Sequence, residues 1–356
     1  MMKKSQIKLT DKKLVYNFCE PYIIAELGSN HNGDMELAKK LILAAKEAGA
    51  DCVKFQSWTK DTIFSKRKYE ENFFLSDDYR NRNDYNLEQI VEKFQITEEQ
   101  LKEMKEFSDK IGIDCISTPF SKREVDFLVD KLNVPFIKIA SMDVNNYPFL
   151  EYVAKKNKPI VISTGLSELY EIDKAIRTIE NTGNDQIVIL HCVSIYPPKD
   201  EEVNLNNITT LQNIYDYPIG YSDHTLGATI ALASVVKGAC IIEKHFTLDK
   251  NMFGWDHKVS ADSEDLKTIC AESKRIYKAM GNKRIYREEN DERVVEFRRS
   301  IVLTRNMKKG EIITEKDIDF KRPGRGIEPG YANIIIGRKL NKDLKYDDII
   351  TFEDFE

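Results

Sequence analysis

The sequence predicts an α/β chain, a (β/α)8 TIM barrel followed by a small β-rich domain. Eight short apolar segments recur between residues 22 and 246 as near-continuous runs, the pattern of buried parallel strands. Helical periodicity fills the intervals between them. Nearly every apolar run ends in side chains fit for chemistry, and in such a barrel the reacting groups come from the C-terminal ends of several strands. The length of 356 residues accommodates a barrel of about 250 residues with an appendage.

Strands are expected over 22–28, 52–58, 114–120, 136–141, 160–165, 187–194, 219–224 and 240–246. Their ends carry Glu26, then Lys54 and Gln56, Thr118, Lys138 and Ser141, Ser163 and Thr164, Ser194 and Tyr196, Ser222 with Asp223 and His224, and finally Glu243, Lys244 and His245. Helices are expected over 35–48, 98–111, 122–132, 148–156, 169–180, 209–215, 226–237 and 263–280. Glycine follows several of them closely, at Gly49, Gly112, Gly183, Gly238 and Gly281, as left-handed C-terminal caps favour.

Residues 59–97 interrupt this spacing with a polar stretch rich in aromatics: Tyr69, Phe73, Phe74, Tyr79 and Tyr85. It is too long for a bare connection, and either covers the active face or packs on the outside of the barrel. The barrel domain is read as residues 1–283, a charged linker as 284–296, and the β-rich domain as 297–356. Strand candidates in the last lie at 299–303, 311–313, 318–321 and 334–336, with bends at residues 308–311 and at Arg322-Pro323-Gly324.

With 41% hydrophobic and 32% charged residues, the composition is that of a soluble globular protein. A net charge of -5 gives no reason to expect nucleic acid or an acidic membrane as partner. Met1-Met2-Lys3-Lys4 runs into polar residues without the apolar core of a signal peptide, and no run of about 18 apolar residues follows, so a cytoplasmic protein is expected. The six cysteines (Cys19, Cys52, Cys115, Cys192, Cys240 and Cys270) form no CxxC pair, and four lie in expected strands. There a thiol behaves as a small buried hydrophobe, so these are expected to be reduced and structural.

His224 and His245 close the seventh and eighth strands, neighbours in a barrel, so both imidazoles reach one point. Such a pair suits a divalent metal whose shell is completed by water, a carboxylate or substrate oxygens. The plainer alternative is two hydrogen-bonding residues at strand ends; His31 and His257 also fall near strand ends but are less well placed. Lys54 and Lys138 stand inside apolar strands, where a buried ammonium is costly without an anionic partner. A phosphate or carboxylate would supply one, and Thr118, Ser141, Ser163, Ser194 and Ser222 add hydroxyl donors for its oxygens. Imine formation between a lysine and a carbonyl substrate is the rival chemistry. Glu26 either acts as a general base or pairs with Lys54 on the next strand. Glu243 and Asp143 are candidate partners for substrate hydroxyls or for the residues that touch substrate.

The chain carries, in order, Ile24-Ala25-Glu26-Leu27-Gly28, Asn30-His31-Asn32-Gly33, Val53-Lys54-Phe55-Gln56, Ser117-Thr118-Pro119-Phe120, Lys138-Ile139-Ala140-Ser141, Ser163-Thr164-Gly165, His191-Cys192, Tyr196-Pro197, Ser222-Asp223-His224-Thr225 and Glu243-Lys244-His245-Phe246-Thr247. Together these motifs resemble the sialic acid synthase family over almost the whole chain. The last domain resembles that family's antifreeze-like (SAF) domain. The resemblance implies a metal-dependent transferase that condenses phosphoenolpyruvate with the aldehyde of an open-chain N-acylated hexosamine. C–O cleavage releases phosphate and leaves a nine-carbon 2-keto-3-deoxy sugar acid. Also implied is a divalent metal on His224 and His245, Mn2+ with Mg2+ or Co2+ as alternatives. Lys54, Thr118, Lys138, Ser141, Ser163, Ser194 and Ser222 match phosphoenolpyruvate-binding positions, and Glu26 matches the residue that handles the water proton. Gln56, Asp143, Tyr196, Asp256 and Arg322 fall on the sugar side. Lys321-Arg322-Pro323-Gly324 resembles the segment whose arginine reaches the N-acyl group in the partner subunit, which implies a domain-swapped homodimer. Arg325 is a neighbouring candidate, and an arginine beside Pro-Gly can also simply brace a turn.

Three places depart from the pattern of members that use N-acetylmannosamine. Asp143 stands for a glutamate, Ser194 for an asparagine, and Phe253-Gly254-Trp255-Asp256-His257 for a Pro-Gly-Pro-Asp type segment. Shortening a carboxylate by one methylene moves its oxygens by about 1.5 Å, and Trp255 offers an apolar platform for an acyl or deoxy group. A 2,4-diacetamido-trideoxyhexose, leading to legionaminic or pseudaminic acid, is therefore favoured over N-acetylmannosamine. An imine-forming pyruvate aldolase is the remaining alternative.

Overall fold

The computed structural model describes residues 5–72 and 86–356, and the chain divides into two units, Met1–Gly281 and Asn282–Glu356. The first begins with a hairpin, β1 (Gln6–Thr10) and β2 (Lys13–Tyr16), that the repeating barrel pattern does not predict. Its inward residues Ile7, Leu9 and Val15 join the barrel core. The chain after it is tied to the starts of barrel strands: Asn17 Oδ1 accepts from Ile219 N–H and the Tyr22 N–H donates to the Cys240 carbonyl. The hairpin thus lies at the end of the barrel opposite the strand termini that carry chemistry.

The barrel strands are β3 (Tyr22–Gly28), β4 (Cys52–Gln56), β5 (Asp114–Thr118), β6 (Ile137–Ile139), β7 (Ile160–Ser163), β8 (Ile187–Cys192), β9 (Ile219–Asp223) and β10 (Ile241–His245). They run parallel in the order β5-β4-β3-β10-β9-β8-β7-β6. β5 and β6 lie alongside one another and complete the ring without a hydrogen-bonded ladder. Most observed strands stop short of the predicted ends because their last residues turn out of the ladder into loops; Ser141 opens the 3-10 turn Ser141–Asp143.

Local signals set the helices. Met35–Ala48 starts where Asp34 accepts the Glu36 and Leu37 N–H groups and stops at Gly49, whose φ of 97° suits glycine. Glu98–Ile111, Leu169–Glu180 and Ser263–Met280 likewise coincide with the expected ranges. The helix expected over 122–132 is instead an α-helix, Lys122–Asp126, that loosens into a π-helical turn, Phe127–Lys131. In the interrupting segment, the helices Lys60–Ile63, Lys66–Glu71 and Leu87–Phe94 are present. Trp58, Leu87, Ile90, Val91 and Phe94 form a separate apolar cluster there. Phe73, Phe74, Tyr79 and Tyr85 lie outside the described residues.

In the second unit β11 (Ser300–Leu303) pairs antiparallel with β12 (Ile318–Lys321) over a core that includes Ile301, Leu303, Met307, Leu340 and Ile350. Two expected strands do not form. Residues 334 and 335 belong to a helical turn, Ala332–Ile335, that Ile336 caps, and the turn buries Ile335 and leaves Ile334 exposed. A run of three apolar residues is too short to carry either period. Residues 311–313 pair only through the isolated bridge Ile312–Lys339. The charged segment ahead of β11 contains a helix, Asp291–Phe297. Among the described residues no helix is long and apolar enough to cross a membrane.

Candidate active site

Side chains alternate along a strand, so residues two apart share a face. This sends Glu26, Lys54, Gln56, Thr118, Lys138, Ser163, Ser222 and Glu243 toward one another from β3, β4, β5, β6, β7, β9 and β10. Glu26 and Lys54 are register partners and form an ion pair. Lys54 Nζ also donates to Thr118 Oγ1 (3.0 Å), and Lys138 Nζ donates to Ser163 Oγ (2.7 Å). Glu243 Oε1 stands 3.7 Å from Lys54 Nζ and 3.6 Å from Lys138 Nζ, and accepts from Ser222 Oγ at 3.2 Å. All of these charged groups are buried, and Glu243 Oε2 has no hydrogen-bond partner. Burying an ion costs several kcal/mol, on the order offset only by close pairing. Two ammoniums ringed by hydroxyls can bind an anion in competition with their carboxylate partners.

Electrostatics divide the four charges. Burial pushes Glu26 up to about 7, against the pull of Lys54 and with help from Glu243. Burial alone would lower Lys54, but Glu243 and Glu26 outweigh it and hold its pKa above the usual lysine value. For Lys138 burial wins and the pKa falls despite Glu243. Glu243 is itself lowered, because Lys138 and Lys54 overcome the effect of its burial. The site therefore pairs one carboxylate held ionised with another that can exchange a proton near neutrality.

At the end of β7 the Gly165 N–H donates to Ser141 Oγ (3.0 Å). A Cβ on Gly165 would come within 2.3 Å of Ser194 Oγ and 2.8 Å of Ser141 Oγ, so glycine is what lets these two hydroxyls close on the strand end.

His224 and His245 meet with ring centroids 5.5 Å apart, and Tyr196 lies tilted against His224 at 4.1 Å and edge-on to His245 at 5.9 Å. His224 Nδ1 donates to the Val193 carbonyl (2.8 Å), which leaves Nε2 with its lone pair. His245 Nδ1 is buried without a hydrogen-bond partner, and Asp256 Oδ2 is 3.7 Å away. Burial opposes a proton on His224, yet Cys192 and the Val193 carbonyl raise its pKa; burial and the surrounding cations keep His245 well below its ordinary value. The nitrogens these contacts leave over, His224 Nε2 and those of His245, are donors that fit a divalent ion. Among the described residues no three His, Cys, Asp or Glu side chains gather into a complete cage. An ion here would take its remaining ligands from water or substrate oxygens.

On the predicted sugar side, Glu26 Oε1, Gln56 Nε2 and Asp256 Oδ2 converge over Gly28, within 3.1, 3.3 and 3.4 Å of where a Cβ would stand. Gln56 donates to Glu26 Oε1 (3.2 Å) while Trp58 Nε1 donates to Gln56 Oε1 (2.9 Å), which fixes the amide's orientation. Burial raises Asp256 to about 6. Asp143 is less closely joined: buried on its 3-10 turn, it accepts from Asn146 Nδ2 (3.0 Å). Arg322 belongs to the second unit, where its guanidinium lies 5.1 Å from the Phe297 ring centroid.

Three expectations need correction or completion. Trp255 turns toward Trp58 (5.5 Å) and Phe94 (6.0 Å), because the apolar cluster beside the mouth is available to it, so its ring braces the loop after β10. His31 and His257 are satisfied structural residues. His31 Nδ1 accepts from the Gly33 N–H (3.1 Å), while His257 joins Thr247 Oγ1 (2.7 Å) and Asn32 Oδ1 (3.3 Å). Burial pushes both down to about 4. Cys192 is buried and free, as expected of a structural thiol, but its sulfur lies 3.9 Å from His224 Nδ1, and His224 draws it down to about 7 against the effect of burial. Its position beside His191 at a strand end was the only local signal.

Residues 41–285 match the NeuB family and residues 298–356 the SAF domain. The N,N'-diacetyllegionaminic acid synthase of Campylobacter jejuni is 40% identical over 331 residues, covering 92% of this chain and 98% of the relative. The same organism's pseudaminic acid synthase is 33% identical over 350 residues, 98% of each. Among solved structures, N-acetylneuraminic acid (sialic acid) synthetase from Leptospira borgpetersenii aligns with a TM-score of 0.72 at 31% identity, over 83% of this chain and 98% of that one. With its barrel and its appended domain both matched, the chain belongs to the NeuB family and ends in a SAF domain.

Proposed function

We propose that this enzyme is a nonulosonic acid synthase that condenses phosphoenolpyruvate with an N-acylated hexosamine aldehyde, of the legionaminic acid type. The observation that carries the reading is the pair of buried lysines, Lys54 and Lys138, converging on Glu243 among the hydroxyls of Thr118, Ser163 and Ser222. A substrate with both a phosphate and a carboxylate suits a hydroxyl-lined cradle that holds two ammoniums. Ser141 and Ser194 extend it past Gly165. The preference for the legionaminic over the pseudaminic type rests on the higher identity with the legionaminic acid synthase, 40% against 33% for the pseudaminic acid synthase.

In this reading Lys54 and Lys138 neutralise the phosphate and carboxylate before reaction. His224 and His245 would hold a divalent ion, Mn2+ in first place, whose Lewis acidity polarises the sugar aldehyde. Glu26, poised near neutrality, takes the proton of the water that adds at C2 of phosphoenolpyruvate, and phosphate departs with C–O cleavage. Gln56, Tyr196 and Asp256 orient the sugar, with Asp143 at the edge of the site. The active form is a homodimer in which Arg322 serves the partner's site. Exposed apolar residues around the strand ends, among them Met142, Leu166, Tyr170 and Leu226, support a covering subunit.

The deciding experiment is phosphate release from phosphoenolpyruvate with Mn2+ against a panel of diacetamido and N-acetylated hexoses, with the product identified by mass. Release with a 2,4-diacetamido-trideoxyhexose is expected. Absence of release with every sugar would refute this reading, and borohydride trapping of pyruvate on the depressed Lys138 would replace it with an imine-forming aldolase.

A further inference from the structure

On the faces of β9 and β10 that turn away from the charged cluster lies an ion pair that the proposed reaction does not use. Asp223 and Lys244 are register partners on these adjacent strands, and each is only 1% exposed. Lys244 Nζ stands 2.7 Å from Asp223 Oδ2 and also donates to the Thr225 carbonyl. Asp223 Oδ1 accepts from the Thr225 N–H (2.9 Å) and from the Tyr221 hydroxyl (3.1 Å).

Each member of the pair immediately precedes a histidine of the site. Because successive side chains point to opposite faces, clamping residues 223 and 244 on the outer face fixes the backbone from which His224 and His245 project inward. Both backbone polar groups of Thr225 are tied to the pair, so the backbone is held on each side of His224 while the Val193 carbonyl holds its ring. Stability does not account for this choice of residues. Apolar side chains of similar volume commonly serve a buried position as well as an ion pair, because desolvation offsets the attraction between the charges. What apolar residues cannot do is grip the N–H and C=O of Thr225.

We propose that Asp223 and Lys244 are positioning residues that set the separation and orientation of His224 and His245, and so the affinity of the pair for a divalent ion. The inference rests on the proposed role of those histidines. It is tested by titrating Co2+ into the full-length protein without substrates, reading the dissociation constant by calorimetry and the coordination from the visible absorption of the bound ion. The variants are Asp223→Asn, Lys244→Met and the double Asp223→Leu/Lys244→Met, each measured below its melting temperature. The double variant leaves no unpaired buried charge, and so remains measurable where a single variant unfolds.

Affinity weaker by about 10–100-fold, the usual cost of losing a group that orients a metal ligand, is expected with an altered absorption spectrum and retained circular dichroism. Unchanged affinity and spectrum in the double variant, with binding still lost in His224→Ala, overturns this inference alone. Failure of the unaltered protein to bind Co2+, or equal binding after His224→Ala, overturns the role of the histidine pair and this inference with it.

Discussion

Replacing Glu243 with glutamine removes one charge and almost nothing else, since the amide oxygen still accepts from Ser222. The lost oxygen charge lies 3.7 Å from Lys54 Nζ and 3.6 Å from Lys138 Nζ. At an effective dielectric of about 20 each contact is worth about 4 kcal/mol of attraction, most of which offsets the desolvation of the buried ions. Removing one partner exposes that imbalance, so Glu243→Gln is expected to destabilise the barrel by about 3–5 kcal/mol. At about 2 °C per kcal/mol for a unit of this size, its melting temperature falls by about 6–10 °C. Inorganic phosphate should then raise the melting temperature of the variant more than that of the unaltered protein, because the anion takes over the counter-charge that Glu243 provided. Differential scanning calorimetry of both proteins with and without phosphate measures all four values. An unchanged melting temperature, or equal phosphate increments, would refute the assignment of Glu243 as the shared counter-ion.

Glu26 is raised from 4.5 to about 7 by burial, so the native state binds its proton more tightly than the unfolded chain does. Its contribution to stability therefore declines as pH rises from 4.5 to about 7, and Glu26→Gln is expected to flatten that part of the melting temperature profile. The same variant should lose the limb of kcat/KM that rises through neutral pH; a retained limb would remove Glu26 as the base. A Cβ at Gly254 would come within 2.3 Å of His257 Cδ2 and 2.9 Å of Asn32 Oδ1, so Gly254→Ala displaces the loop bearing Asp256. It is expected to raise KM for the sugar and leave KM for phosphoenolpyruvate unchanged, which steady-state kinetics on both substrates would check. Mixing Arg322→Ala chains with Lys54→Met chains should restore part of the activity if the arginine serves the partner's site. Activity no greater than that of the separate variants would count against the swap.

The barrel was legible because its signals are local. Each strand is a short apolar run, each long helix carries its own caps, and polar groups inside such runs are costly enough to mark function. Lys54 and Lys138 stood out for that reason. The hairpin of residues 6–16 and the helical turn Ala332–Ile335 were not legible, since runs of three to five residues fit either period. Nor did sequence distinguish the histidines conclusively. His31, His224, His245 and His257 all fall near strand ends, and it is neighbours distant in the chain, such as Asn32 for His257, that satisfy some and leave others open.

The alternation of side chains on a strand is a property of two or three residues, so the sequence alone determined which groups share an inward face and in what order they occur. Which of those groups touch depends on the closure of the ring. β10 takes its place between β3 and β9, and this puts Glu243 within reach of lysines on β4 and β6, some 190 and 105 positions earlier in the chain. No local pattern encodes that meeting. It follows from packing the whole set of strands around one core, and the counter-ion shared by two lysines exists only once that packing is complete.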